Sequence, residues 1–257
     1  MIEVKNIAKH FGDQIILKGI STVFESGKCS LIIGRSGSGK TVFMNCLVGL
    51  IEPDKGSISF DQREITTMDF SHRVVLRKEV GMLFQKNALF DSMTVEDNVK
   101  FPLDMFTDMT LKEKLERVDF CLKRVNLVNA NKKFPSEISG GMMKRVALAR
   151  AIVLNPKYLF CDEPNSGLDP KTAIVIDELI LEITREFNIT TIVNTHDMNS
   201  VMGIGDKVIY LFEGNKNWEG SKEEILKTDN ENLNDFIFAS KFFKELKKAA
   251  AEHQNKN

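Results

Sequence analysis

The chain has 257 residues, 42% of them hydrophobic and 28% charged, with 16 Gly and 6 Pro; this is the make-up of a folded globular protein and excludes a fibrous or disordered one. Its 35 Lys and Arg nearly balance 36 Asp and Glu, and the net charge of -1 leaves no global field to draw it onto nucleic acid or an anionic lipid surface. The length lies near the size at which single domains begin to divide, so one domain with a subdomain is the expected organisation.

Met1 to Asn6 lack the basic start and apolar run of a secretory signal, which predicts a chain that stays in the cytoplasm. No window approaches the roughly 20 consecutive apolar residues of a transmembrane helix. Cys29, Cys46, Cys121 and Cys161 have neither CxxC nor metal-ligand spacing and read as reduced packing residues.

Short β-rich runs, including Ile15 to Leu17, precede a buried strand from Cys29 to Ile33, with turn signals at Gly12-Asp13 and Ser26-Gly27. That strand runs into a glycine-rich loop, Gly34 to Thr41, and then into a helical pattern from Val42 to Leu50 closed by Gly49 and Pro53. Gly56 to Asp61 alternates like an antiparallel ribbon, and Val80 to Gln85 reads as another short apolar strand. From about Val95 to Lys133 the sequence is charged, with Leu111, Leu115, Val118 and Leu122 at helical spacing, so a helical insertion is predicted there. A helix follows Ser139-Gly140-Gly141 and ends before Asn155-Pro156; Tyr158 to Cys161 is a strand, Lys171 to Phe187 a helix, and Thr190 to Thr195 a β-branched strand ending at His196. Val208 to Phe212 and the turn after it predict a terminal hairpin. Alternating strands and helices argue for a largely parallel α/β sheet.

Chemistry concentrates at the ends of those strands. Gly34-Arg35-Ser36-Gly37-Ser38-Gly39-Lys40-Thr41 fits the phosphate-binding loop completely, and it sits between a strand and a helix as that motif requires. Glycines let backbone N–H groups face a phosphate, the helix that Val42 continues adds its dipole, Lys40 bridges the β- and γ-oxygens, and the Thr41 hydroxyl can meet Mg²⁺. Asp162 closes the strand before it, where it can hold Mg²⁺ through water, and Glu163 follows as a carboxylate placed to polarise the attacking water. Alone, such an Asp-Glu pair would be ordinary loop charge; the phosphate loop gives it a task. His196 emerges on the same sheet edge as a donor to the γ-phosphate.

These residues describe a P-loop NTPase, and Ile138-Ser139-Gly140-Gly141-Met142 narrows it, for that pentad resembles the LSGGQ signature of ABC ATPases. With Gln85 as the Q-loop glutamine, touching metal or attacking water, Ser166-Gly167-Leu168-Asp169 as the D-loop and His196 as the H-loop histidine, the family's motifs appear in order over about residues 1 to 220. The resemblance implies an α/β fold with a RecA-like P-loop core, an antiparallel β subdomain and a helical subdomain at about 90–155. It also implies adenine stacking on Phe11 and ATP and Mg²⁺ as ligands. Ser139, Gly140 and Gly141 of one copy would cap the ATP held by the Lys40 loop of a second copy, and integral membrane permease subunits would be the partners.

Met82 to Val95, the Met142 variant of the signature, and Asn98-Val99-x-Phe101-Pro102-Leu103 are similar to the Mla-type phospholipid transport ATPases. That similarity implies phospholipid trafficking with a lipid-binding substrate protein, at the cytoplasmic face of the inner membrane. A different solute permease and a soluble assembly ATPase of the iron–sulfur scaffold type stay open as alternatives. A nucleic-acid-linked ABC protein is disfavoured by the single cassette and the absence of a basic stripe. Two departures stand out: Cys161 precedes Asp162 where aliphatic residues are usual, and Met142 cannot make a glutamine hydrogen bond. The segment 221–257 reads as a charged helical tail with Phe236, Phe238, Phe242 and Phe243 as apolar anchors, packing on its own domain or reaching a second copy, and fraying from Lys244 to Asn257.

Overall fold

The computed structural model describes residues 1–238. Strands β1 (Ile2–Phe11), β2 (Gln14–Phe24), β4 (Lys55–Phe60) and β5 (Arg63–Glu64) form an antiparallel sheet in the order β2-β1-β4-β5. A second sheet takes β3 (Cys29–Ile33), β6 (Val80–Leu83), β7 (Tyr158–Asp162), β8 (Thr190–Asn194), β9 (Lys207–Phe212) and β10 (Asn215–Gly220) in the order β10-β9-β3-β8-β7-β6. Every pairing in it is parallel except the β9–β10 hairpin.

The central strands are buried on both faces, yet the period of two still sorts their side chains between two cores. Ile32, Tyr158, Phe160, Ile192 and Ile209 face helix α1 (Lys40–Leu47) and the small sheet, where they meet Phe43, Leu47, Phe24 and Phe60. Leu31, Ile33, Leu159, Cys161, Val193 and Val208 face the opposite way. There they pack on α3 (Val95–Phe106), α4 (Leu111–Arg124), α5 (Gly140–Ile152), α6 (Pro170–Glu186) and α7 (Met198–Ile204). All four cysteines are free and buried, and burial raises the pKa of each thiol, to about 11 for Cys46 and Cys121.

Several boundaries differ from the sequence expectation. Helix α1 stops at Leu47 rather than running to Leu50, because Gly49 turns the chain at φ +71°. The insertion resolves into α3 and α4, each opened by a threonine cap: Thr94 accepts from Asp97 N–H and Thr110 from Glu113 N–H. Leu111 is 65% exposed at the solvent end of α4, and the packed face is Val118, Cys121 and Leu122. Helix α2 (Phe70–Lys78) had no sequence forecast; it is short, and Leu76 is its one buried residue.

The described part of the tail lies on its own domain. Helices α8 (Lys222–Ile225) and α9 (Glu231–Ile237) put Ile225, Leu233, Ile237 and Phe238 into the larger core, and the Tyr210 hydroxyl donates to Asn232 O at 3.1 Å. Phe242, Phe243 and the expected fraying from Lys244 lie outside the described residues.

Candidate nucleotide site

Register places the chemistry. On β8, Asn194 stands opposite Ile32 of β3 on one side and Asp162 of β7 on the other. The loops that follow β3, β7 and β8 therefore leave the sheet side by side, at the carboxyl edge where open α/β sheets bind ligands. Beyond β7, β6 delivers Gln85 to the same edge.

These loops enclose an open cleft of about 700 Å³ lined by Gly34, Arg35, Ser36, Gly37, Gly39, Lys40, Thr41, Val42, Gln85, Glu163 and His196. Gly34 has φ +153°, and a Cβ there would meet Leu211 O at 2.4 Å and Ser38 Oγ at 2.7 Å, so only glycine fits this start of the loop. Gly39 caps α1 at φ +100° and leaves the first N–H groups of that helix open. Lys40 is folded inward, its Nζ donating to Gly34 O at 2.8 Å and Arg35 O at 3.2 Å. Burial lowers its pKa, against the opposite pull of Glu163 and Asp162.

Asp162 is 9% exposed and lies below the cleft floor, accepting from Asn194 Nδ2 at 3.1 Å. Glu163 takes the left-handed backbone conformation at φ +48°, rare for a residue with a side chain. Its Oε2 lies 2.8 Å from His196 Nδ1. An ionised carboxylate can only accept, so Nδ1 carries the proton in this pair. The His196 side chain is 68% exposed, open to the cleft mouth.

The donor set suits a nucleotide with a hard divalent cation. Ser38 Oγ and Asn194 Oδ1 are buried with no hydrogen-bond partner, orphans of the kind a ligand or its hydration shell satisfies. The Thr41 hydroxyl, the Asp162 carboxylate and the Gln85 amide offer oxygen to Mg²⁺, which prefers it.

Other expected residues lie elsewhere. Phe11 does not line the cleft; it is 49% exposed at the end of β1, with Lys9 Nζ 5.4 Å from its ring centroid. It pairs with Gln14 across the hairpin, and Gln14 and Ile16 form the adjoining wall. Ser139, Gly140 and Gly141 are also absent from the cleft of their own chain. Ser139 caps α5 by accepting from Met142 N–H at 3.3 Å, and Met142 packs against the larger core. Asp169 caps α6, accepting from Thr172 N–H at 3.0 Å and Thr172 Oγ1 at 2.5 Å, contacts that lower its pKa. Asn98, singled out only for its place after the Q-loop, ties Phe90 in both directions, accepting from its N–H at 2.8 Å and donating to its carbonyl at 3.0 Å.

Sequence reasoning missed three contributors. Phe236 of α9 lines the cleft beside His196, a placement no local pattern reveals. Lys144 and Arg150 of α5 hold the Gln85 loop by its backbone: Lys144 Nζ donates to Gln85 O at 2.6 Å, and Arg150 donates to Ala88 O at 2.6 Å and Asn87 O at 2.7 Å. A lysine among the buried apolar residues of α5 was a usable signal, since such a charge occurs only with a partner.

Comparison with known proteins agrees with this geometry. The family model described as ABC transporter matches residues 17–166. A probable ribonucleotide transport ATP-binding protein, mkl, of Mycobacterium leprae is 38% identical over 92% of this chain and 68% of its own length. The intermembrane phospholipid transport system ATP-binding protein MlaF of Haemophilus influenzae is 36% identical over 92% of this chain and 90% of its own. Among solved structures, the ATP-binding cassette MJ0796, in a dimeric post-hydrolysis state bound to ADP and Pi, superposes with a TM-score of 0.79 at 32% identity, covering 86% of this chain and 99% of that one. The chain belongs to the ABC transporter family, as an ATP-binding, ATP-hydrolysing subunit.

Proposed function

We propose that the chain powers phospholipid trafficking as one of two identical ATPase subunits, held at the cytoplasmic face of a membrane by permease subunits and served by a lipid-binding substrate protein. One observation carries the lipid reading: MlaF is matched over nine-tenths of both chains, whereas mkl extends well beyond the matched region. The motifs after Gln85 point the same way. No helix among the described residues is long and apolar enough to cross a membrane, so the path for lipid is assigned to another chain.

In this mechanism ATP draws Lys40 from the Gly34 and Arg35 carbonyls onto its β- and γ-oxygens, with the backbone of residues 34–42 around the phosphates and the adenine reaching past Gln14 to the exposed Phe11 ring just outside the cleft. Bound Mg²⁺, held by Thr41, Asp162 and Gln85, would offset charge on those oxygens. Glu163 accepts a proton from the attacking water, and His196 gives the γ-phosphate a ring N–H, the Nδ1 proton it otherwise donates to Glu163. Ser139, Gly140 and Gly141 stand outside their own cleft and are free to close on the cleft of a second copy, with Asp169 alongside at that junction. ATP then joins two half-sites, and hydrolysis releases them, which gives a cycle of closure and opening.

The test is affinity purification of the tagged chain from gently solubilised membranes, with mass spectrometry and lipid analysis of what accompanies it. A multispanning permease with a lipid-binding protein and bound phospholipid is expected. A permease for another solute would retain the ATPase and remove the lipid assignment, the reading that mkl's printed role favours. Soluble assembly factors alone would remove transport.

A further inference from the structure

The left-handed Glu163 backbone needs support, because strain of this kind persists only where the surroundings hold it. Two backbone bonds contribute: Glu163 N–H donates to Asn194 O at 2.9 Å, and Ser166 N–H donates to Glu163 O at 3.1 Å. A third anchor is made by side chains. Asn165, inside that turn, donates from Nδ2 to Asp177 Oδ1 of α6 at 2.9 Å and to Ser200 Oγ of α7 at 3.0 Å. The amide spends both hydrogens on this knot, and its oxygen stays buried without a partner. Asp177 is 6% exposed and Ser200 fully buried, and no cation forms an ion pair with Asp177 among the described residues. Its neighbours on the buried face of α6 are Ile176, Leu179 and Ile180. Packing alone would be served by another aliphatic residue there, and an unpaired buried carboxylate is costly. What the polar knot adds is position, since α7 begins two residues after His196.

We propose that Asp177 and Ser200 are positioning residues for ATP hydrolysis: through the Asn165 amide they hold the turn that carries Glu163 in register with the helix that follows His196. Neither touches nucleotide. The assignment rests on the role given to Glu163 above.

Hydrogen exchange and steady-state hydrolysis are measured on the full chain carrying Asp177→Ala, Ser200→Ala or Asp177→Asn, in the membrane complex with which it co-purifies if the chain alone is idle. Loss of one acceptor should raise amide exchange in 163–169 by about tenfold and leave α4 unchanged, the effect of losing one buried hydrogen bond. Turnover should fall by a similar factor while KM for ATP stays within about twofold, since the Lys40 loop is untouched. Asp177→Asn keeps an acceptor oxygen and should restore both readouts. Unchanged exchange in the alanine variants, loosening with parental turnover, or an asparagine variant no better than alanine would each overturn the proposal. If Asp177→Ala does not fold, Ser200→Ala carries the same test. Parental hydrolysis by Glu163→Gln would instead remove the role of Glu163, and it would leave the exchange result standing.

Discussion

Lys144 ties the helix that begins with the signature glycines to the Gln85 loop, donating to the glutamine's backbone carbonyl at 2.6 Å. Lys144 is 2% exposed, and burial lowers its pKa despite Cys161, Asp162 and Glu163 nearby. A buried charge-assisted hydrogen bond contributes roughly 1.5–3 kcal/mol. Lys144→Met keeps the aliphatic stem and removes the tether. Exchange of amides 84–90 should rise at least about tenfold, with ATP affinity near parental, because the bond removed is to the Gln85 loop and the Lys40 loop keeps its own. Unaltered exchange in that segment would show that Arg150 holds the loop by itself.

Glu163 accepts from the His196 ring, so its removal should act on hydrolysis and spare binding. Glu163→Gln retains the shape and leaves no base; turnover should drop by about 10²–10⁴. ATP should remain bound and, with hydrolysis blocked, hold two copies together. Size-exclusion chromatography with light scattering in Mg²⁺ and ATP checks this: a stable dimer of the variant is expected. Hydrolysis at the parental rate would return the role of base to another group.

The phosphate loop, Asp162, Glu163 and His196 were legible in the sequence because each follows an apolar strand, and a parallel sheet sets all such ends on one edge. The register that sets Asn194 beside Ile32 and Asp162 came from the structure. What stayed hidden depends on contacts between distant segments. Phe236 reaches the cleft from a helix whose pattern shows only apolar anchors, and the Asn165 anchor joins residues 12 and 35 positions away. Leu111 lies in the helix its spacing predicts, yet it is exposed, because spacing fixes a helix face and not how far along the helix that face is covered. The glycines at 140 and 141 fit the family's signature equally well on paper, while their surroundings differ.

Asp177 makes stability depend on pH. Burial pushes its pKa up to about 6 from an ordinary 3.8, opposed by hydrogen bonds from Ser200 and Asn165, with Asp197 adding a smaller upward push. The folded state binds this proton more tightly than the unfolded one, so the associated stability is complete below the ordinary value and is lost as pH rises through about 6. At pH 8 the buried charge costs up to about 3 kcal/mol, two pKa units of linkage. Asp177→Asn removes the charge and keeps an acceptor. Denaturant unfolding at about pH 5 and pH 8 should show the variant's advantage over the parent growing by about 1–1.5 kcal/mol towards the higher pH. An equal difference at both would mean that Asp177 stays charged throughout.

Gly140 and Gly141 separate binding from packing. A Cβ on Gly141 would stand 2.6 Å from Thr172 Cγ2, so Gly141→Ala makes Thr172 of α6 give way. On Gly140 the nearest atom would be Leu168 Cδ2 at 3.9 Å, ordinary contact, and the position is the first of a helix. Gly140→Ala should therefore fold with unchanged or slightly raised stability, as alanine is favoured over glycine in a helix by up to about 1 kcal/mol. The open face at Gly140 is the one proposed to close on the nucleotide of a second copy, where an added methyl would stand between backbone and phosphate. The Glu163→Gln dimer should then form more weakly, by about tenfold or more in the ATP needed, when Gly140→Ala is added. Thermal unfolding read beside ATP-dependent dimerisation decides the matter: a stable variant that dimerises poorly supports the shared site, and one that dimerises as well as its parent places the ATP contact elsewhere.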